Sequence, residues 1–214
     1  MPVRPEQAVT ALRDHWDARA SAGEDDCARV DTSARSQRWR FRMFAAAAGH
    51  LDGRSVLDVG CGVGDFYAYV RATAPTATYR GIDISPAMVA RSRERFPDAD
   101  FDVVDLLEGP PSRDWDFVAA FGVFNVRLPG ADALLPRLLR RQFETARVAA
   151  HVSLLTSQFR GFDEHALHWN ARDVLDLALS ITPYVAVRHD YLPHDFSVTL
   201  YREPLADREP GLIG

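Results

Sequence analysis

Val56-Leu57-Asp58-Val59-Gly60-Cys61-Gly62-Val63-Gly64 is an apolar run holding one carboxylate that breaks into three glycines at alternate positions. It reads as a buried strand that turns sharply and then opens a helix, with glycines that let a ligand approach the main chain. A second apolar run, Tyr79-Arg80-Gly81-Ile82-Asp83, ends in an acid able to accept both hydroxyls of a ribose. A glycine turn followed by an acid roughly 20 residues on is the layout of nucleoside-binding α/β domains.

The details select the nucleoside. Dinucleotide folds use G-x-G-x-x-G with the pyrophosphate on the helix N-terminus. Here the spacing is Gly60-x-Gly62-x-Gly64, and Asp58 lies beside the turn. A carboxylate repels a phosphate and stabilises an ammonium group. The expected ligand therefore carries a ribose and a positive charge and no phosphate. S-adenosylmethionine, with its adenosine, sulfonium and amino-acid ammonium, meets those conditions, and a nicotinamide dinucleotide does not.

The chain resembles a class I S-adenosylmethionine-dependent methyltransferase. Asp58-Val59-Gly60-Cys61-Gly62-Val63-Gly64 is similar to that family's first motif and Ile82-Asp83-Ile84-Ser85-Pro86-Ala87-Met88 to its second. Asp102-Val103-Val104-Asp105-Leu106 resembles the third, and Trp115-Asp116-Phe117-Val118-Ala119-Ala120-Phe121-Gly122 the fourth. The resemblance implies a Rossmann-like, seven-stranded, mostly parallel sheet with one antiparallel strand near its edge, helices on both faces and an N-terminal helical cap. It assigns Asp105 to the adenine amino group, the Leu106 backbone N–H to the ring and Ile84 to the adenine face. Gln37-Arg38-Trp39-Arg40-Phe41 and Arg188-His189-Asp190-Tyr191 resemble the two ends of a bacterial subgroup of small stand-alone methyltransferases.

At 214 residues the chain is long enough for one well-packed α/β domain with an additional cap. No apolar run approaches membrane-spanning length. Met1-Pro2-Val3-Arg4-Pro5-Glu6 lacks the apolar core of a signal peptide. Two cysteines, Cys27 and Cys61, form no disulfide framework, so a reduced cytoplasmic setting is expected. All the basic residues other than histidine are arginines, and the formal net charge is −5. A nucleic-acid substrate calls for a broad basic footprint, which is missing, so RNA and DNA are disfavoured as partners.

Hydrophobic spacing predicts helices over 1–22 and 33–48, then alternating strands and helices: strands at 54–59, 78–83, 101–104, 115–121 and 148–155, helices at 64–73, 86–95, 131–142 and 170–181. Two more strands, 184–190 and 195–202, are joined by a few residues and must be antiparallel neighbours. This alternation predicts a mostly parallel sheet. The expected organisation is a helical cap over 1–50, a core over 51–202 and a loose tail over 203–214, with a polar loop at 23–32.

Ligands of open α/β sheets lie beyond the carboxyl ends of the strands. That rule places Asp58, Gly60, Cys61, Gly62 and Gly64 after the first strand, Asp83 and Ile84 after the second, Asp105 and Leu106 after the third, and Phe121 and Gly122 after the fourth, near the sulfonium. These are the expected cofactor-binding residues. Asn125, a polar residue in an apolar run, is expected to position the acceptor. The long stretch from Leu155 to Asn170 is rich in aromatic and titratable groups and reads as a lid. His189 in the last turn is the candidate general base, since histidine titrates near neutral pH. Trp16, Trp39, His168, Trp169 and Tyr191 complete the expected substrate-binding set. With Glu164 and Asp190 they make an acidic, aromatic crevice suited to a cationic or planar acceptor. His165 and His168 lack a third ligand at a zinc-like spacing, so no metal is expected.

The resulting reading is a methyltransferase acting on an oxygen or nitrogen of a small metabolite or natural-product precursor, releasing S-adenosylhomocysteine. RNA or protein methylation, or binding of the same cofactor without methyl transfer, are the alternatives. The absence of an Asp/Asn-Pro-Pro-aromatic signature argues against methylation of adenine or glutamine amides.

Overall fold

The computed structural model describes residues 4–21, 33–108, 114–159 and 165–205. The loop expected over 23–32 and the tail from 206 onward lie outside them, as do Cys27 and Glu164. Seven strands make one sheet: β1 (Ser55–Val59), β2 (Thr78–Asp83), β3 (Asp100–Val103), β4 (Trp115–Phe121), β5 (Ala146–Leu155), β6 (Val185–Leu192) and β7 (Asp195–Tyr201), in the order β3-β2-β1-β4-β5-β7-β6. β1 to β5 run parallel, and β7 is antiparallel to both neighbours. The central strands read as unbroken apolar runs because both faces are covered. Val56, Leu57 and Val59 of β1 are buried, as are Phe117 to Ala120 of β4.

Six α-helices lie among the described residues: α1 (Pro5–Ser21), α2 (Ala34–Ala48), α3 (Asp65–Thr73), α4 (Pro86–Arg95), α5 (Leu134–Thr145) and α6 (Ala171–Leu179). Their ends follow local chemistry. The Ser33 hydroxyl accepts from Ser36 N to start α2, and Ser85 accepts from Met88 N, with Pro86 in the first turn, to start α4. α5 runs to Thr145, three residues beyond the expected end. Arg202 explains the extension, since its Nε donates to Ala146 O and its guanidinium also reaches Phe143 O, holding a cation where the helix leaves carbonyls unpaired.

Two core layers sandwich the sheet. α5 and α6 bury Leu135, Leu139, Phe143, Val174 and Ala178 on one face. α2 and α3 bury Phe41, Phe44, Phe66 and Val70 on the other. α1 packs on neither layer. Its Ala8 and Leu12 join Val126 and Leu134, and its Ala20 joins Val63 and Met88, so it lies across the carboxyl ends of the strands. Side-chain bonds hold it there: Arg13 Nε donates to Ile84 O at 3.1 Å, while Asp17 accepts from Ser85 Oγ and Ala87 N.

The last two strands carry an irregularity that matters below. Arg188 faces Ser197 and Leu192 faces Asp195, so three residues of β6 span what a single residue, Phe196, spans on β7. Such a bulge re-aims side chains.

Candidate functional site

Where β1 and β2 end, the main chain folds back on itself. Gly60 N and Cys61 N both donate to Ile82 O, at 2.8 and 3.0 Å. Gly60 has φ +73°, and a Cβ there would lie 2.3 Å from Val123 Cγ2. Only glycine therefore keeps the β1 turn pressed against the segment after β4. Gly64 faces the protein instead, against Phe96 and Phe101, at the start of α3.

Two cavities meet at this turn, sharing Gly60, Gly62 and Phe121. The larger spans about 970 Å³ including its open mouth, a size suited to a nucleoside. Ile82, Asp83 and Ile84 form one wall, Val104 to Leu107 a second, and Gly122 to Phe124 a third. Val9, Leu12 and Trp16 of α1 close it from above. Its described polar side chains are Asp83 and Asp105. Asp83 Oδ2 accepts from Gly62 N and Oδ1 from Ser85 N, each at 2.9 Å. Burial raises its carboxyl above the ordinary range, opposed by the backbone bonds from Ser85, Gly62 and Ile84. Asp105 is partly buried and accepts from Leu107 N, which fixes the turn carrying Leu106.

The smaller cavity, about 440 Å³, is the polar one. It is lined by Gln37, Arg40 and Phe41 of α2, Asp58 of β1, the glycine loop with Cys61, Asp65 and Phe66 of α3, and Phe121. Asp58 is 2 % exposed and accepts from Tyr79 Oη at 2.6 Å. Burial pushes its carboxyl up to about 7; the Tyr79 bond opposes this, and the Asp83 and Asp65 carboxylates add to it. A carboxylate walled off from solvent and facing a cavity is an unfinished ion pair. A ligand ammonium would complete it.

The expected acceptor-side residues do not converge on these cavities. Trp16 lines the larger one, on the nucleoside side. Asn125, Trp39, His168, Trp169 and Tyr191 line neither. Trp169 donates from Nε1 to Phe124 O, packs on the core and braces the turn after β4. Trp39 lies under the Arg42 guanidinium, 5.4 Å from its ring centroid. His168 is partly buried in the same segment as Trp169. Asn125 sits next to Gly122, its Nδ2 3.4 Å from where a Gly122 Cβ would be, and its Oδ1 is buried with no hydrogen-bond partner.

His189 needs correction as a candidate base. The β6 bulge turns it outward, where it is exposed and contacts the Phe196 ring at 5.8 Å, and it lines neither cavity. Asp190, exposed beside it, is held below its usual range by a two-point bond from Arg188. The described residues of the acidic, aromatic crevice expected for a cationic acceptor do not come together; Glu164 lies outside them.

Gln37 and Arg40 are the residues that sequence reasoning missed. Arg40 is 4 % exposed on the same stripe of α2 as Phe41 and Phe44. An arginine on an apolar helix face was the available signal, because a buried charge requires a partner.

Among the described residues, no group of three or more His, Cys, Asp or Glu is placed to hold a metal. No helix among them is long and apolar enough to cross a membrane.

Residues 57–141, which hold both acids and the glycine turn, match a family model described as a methyltransferase domain. Over those residues the chain is similar to class I S-adenosylmethionine-dependent methyltransferases. Its relatives include trans-aconitate 2-methyltransferases. That of Klebsiella pneumoniae is 38% identical over 71 residues, which are 33% of this chain and 28% of the relative. That of Methylobacterium radiotolerans is 39% identical over 85 residues, 40% of this chain and 32% of the relative. The chain thus covers less than a third of either relative's length. Solved structures share the fold over far more of it. A magnesium protoporphyrin IX methyltransferase from Synechocystis with bound S-adenosylhomocysteine superposes with TM-score 0.66 at 18% identity, over 92% of this chain and 100% of that one. A 1,6-didemethyltoxoflavin-N1-methyltransferase from Burkholderia thailandensis does so with TM-score 0.69 at 16% identity, over 94% and 91%.

Proposed function

We propose that this methyltransferase domain binds S-adenosylmethionine across the two joined cavities and transfers its methyl group to an oxygen or nitrogen of a small-molecule acceptor. The observation that carries the reading is the arrangement of two buried carboxylates on opposite sides of one glycine turn. Asp83 belongs to the apolar cavity and Asp58 to the polar one. An adenosine joined to an amino-acid tail has the matching division. Asp83 would hold the ribose hydroxyls, Ile84, Asp105 and Leu106 the adenine, Gly60 to Gly62 the linking atoms, and Asp58 the ammonium.

When bound, S-adenosylmethionine supplies a methyl group already activated by a positively charged sulfur. The protein's contribution is then placement of the acceptor and exclusion of water. Phe121 lies where the two cavities meet, Gly122, which has φ +78°, follows it in the wall of the larger one, and both would border the reacting centre. Asn125, with its amide idle and Oδ1 buried, is suited to orient an acceptor by one hydrogen bond. Residues 1–50 would serve as a cap, with α1 shielding the nucleoside and α2 closing the tail cavity, and 51–202 as the core. Methyl acceptors named for the relatives and structural neighbours, trans-aconitate, magnesium protoporphyrin and didemethyltoxoflavin, are small molecules and support that class.

Incubation with methyl-labelled S-adenosylmethionine and a metabolite extract tests the proposal. Label in a small organic-soluble or polar product is the expected result. Label found only in RNA or protein, or in nothing despite tight cofactor binding, would overturn it.

A further inference from the structure

The face of the sheet beneath α2 carries a row of polar side chains. Asp195, Ser197 and Thr199 alternate onto it along β7, and His151 and Ser153 do so along β5. The register sets His151 opposite Thr199 and Ser153 opposite Ser197. All five are at most 4 % exposed. Much of the row is satisfied within the protein. Asp195 accepts from the Arg40 guanidinium and the Tyr191 hydroxyl, Tyr191 is also hydrogen-bonded to Ser197, and Thr199 Oγ1 lies 2.8 Å from His151 Nδ1. Two buried atoms have no hydrogen-bond partner among the described residues: the second ring nitrogen of His151, Nε2, and the Ser153 hydroxyl oxygen.

A buried polar atom left unpaired costs the desolvation of that group, so native proteins rarely keep one. Here two stand at neighbouring positions on the same face of one strand. Two residues advance a strand by about 6.6 Å, which separates these side chains at their roots. A water that makes two hydrogen bonds of about 2.8 Å each reaches across such a gap.

We propose that His151 Nε2 and Ser153 Oγ together hold one internal water, in a site behind the Phe121 wall of the two cavities. The Phe121 ring lies 5.8 Å from the His151 ring and lines both cavities, which fixes that position. An internal water needs two to four polar partners. Ser197 supplies a third, because a hydroxyl bonded to Tyr191 keeps further capacity to donate or accept. The neighbouring side chains are small: Ala119 stands opposite His151 on β4, and Ser197 opposite Ser153 on β7. Water also suits the imidazole. Burial lowers the His151 pKa to about 3, so the ring is neutral, with one nitrogen a donor and the other an acceptor. Whichever of the two Thr199 takes, a water can answer the other. The water would make the row continuous, joining His151 and Ser153 through Ser197 and Tyr191 to the Asp195–Arg40 pair.

A high-resolution crystal structure of the wild type, with thermal unfolding of wild type and Ser153→Ala, tests the inference. The structure should show an ordered water within hydrogen-bond distance of both His151 Nε2 and Ser153 Oγ. Ser153→Ala removes one of its anchors and should lower the thermal midpoint by about 2–4 °C. The sign is decisive, because deleting a buried hydroxyl that bonds to nothing relieves a cost and leaves the midpoint unchanged or raised. A wild-type structure with no ordered water in reach of both atoms would overturn the inference, and so would a Ser153→Ala protein at least as stable as wild type. Neither result touches the methyltransferase reading, which stands or falls on cofactor binding.

Discussion

Replacing Asp58 by asparagine should make the ligand-free protein more stable at alkaline pH and less able to bind its cofactor. Asp58 is buried without a cation, and its carboxyl titrates near 7 rather than 3.8. The folded state thus holds this proton more tightly than the unfolded chain does. The stability that this contributes is fully present below pH 3.8 and is withdrawn as pH rises through 7. Above both values the buried carboxylate costs roughly 4 kcal/mol, at about 1.4 kcal/mol per pH unit of separation. Asparagine keeps an oxygen for the Tyr79 hydroxyl and removes the charge. The stability gap between Asp58→Asn and wild type should therefore widen by about 2 kcal/mol between pH 5.5 and 8.5. Urea unfolding of both proteins, ligand-free, across that range measures the gap directly. The same proton should appear in binding. An ammonium ligand needs Asp58 ionised, so wild-type affinity should fall about tenfold from pH 8 to pH 6, a dependence that Asp58→Asn should lose along with much of its affinity. A stability gap that does not change with pH would refute the reasoning, because it would mean that Asp58 is already ionised or already paired in the empty protein.

Three other outcomes follow from particular residues. His151 is buried with Nδ1 2.8 Å from Thr199 Oγ1, and burial lowers its pKa to about 3. The stability it contributes is complete above its unfolded value of 6.5 and is lost as pH falls toward 3, by up to roughly 5 kcal/mol. His151→Gln should accordingly show a flatter acid limb when followed by circular dichroism. Gly81→Ala places a Cβ 2.5 Å from Phe101 Cδ1 and 2.9 Å from Cys61 Cβ, so thermal unfolding should report a loss of about 1–3 kcal/mol from overpacking. Asp83→Ala removes the acceptor for Gly62 N and Ser85 N as well as for a ribose, and calorimetry should show cofactor affinity reduced by about tenfold or more.

The succession of strands along the chain and the antiparallel pairing of the last two were legible from the sequence because they rest on local signals. Val56 to Val59 and Phe117 to Ala120 are apolar throughout, Ser33 and Ser85 cap the helices they precede, and the short link from Leu192 to Asp195 allows only antiparallel neighbours. That Asp58, Gly60, Gly62 and Asp83 come together was legible for the same reason, since they lie at two adjacent strand ends. The acceptor side was not. His189 and Tyr191 lie two residues apart, and the bulge that sends one outward and the other to Asp195 depends on how β6 registers on β7. Arg40 finds its partner across 155 residues of chain, a distance at which no periodicity or spacing points from one to the other. Trp169, conspicuous as an aromatic in a long connection, turns out to hold the turn after β4 through Phe124 O. Its role is set by the main chain it meets and was invisible in its own neighbours.

The most direct measurement is a crystal structure of the protein with S-adenosylhomocysteine. The adenine should lie against Ile84 beside Asp105, the ribose hydroxyls on Asp83, and the amino-acid tail in the smaller cavity with its ammonium at Asp58. A ligand bound elsewhere, or with its tail directed away from Asp58, would contradict the assignment of the two cavities on which the proposed function depends.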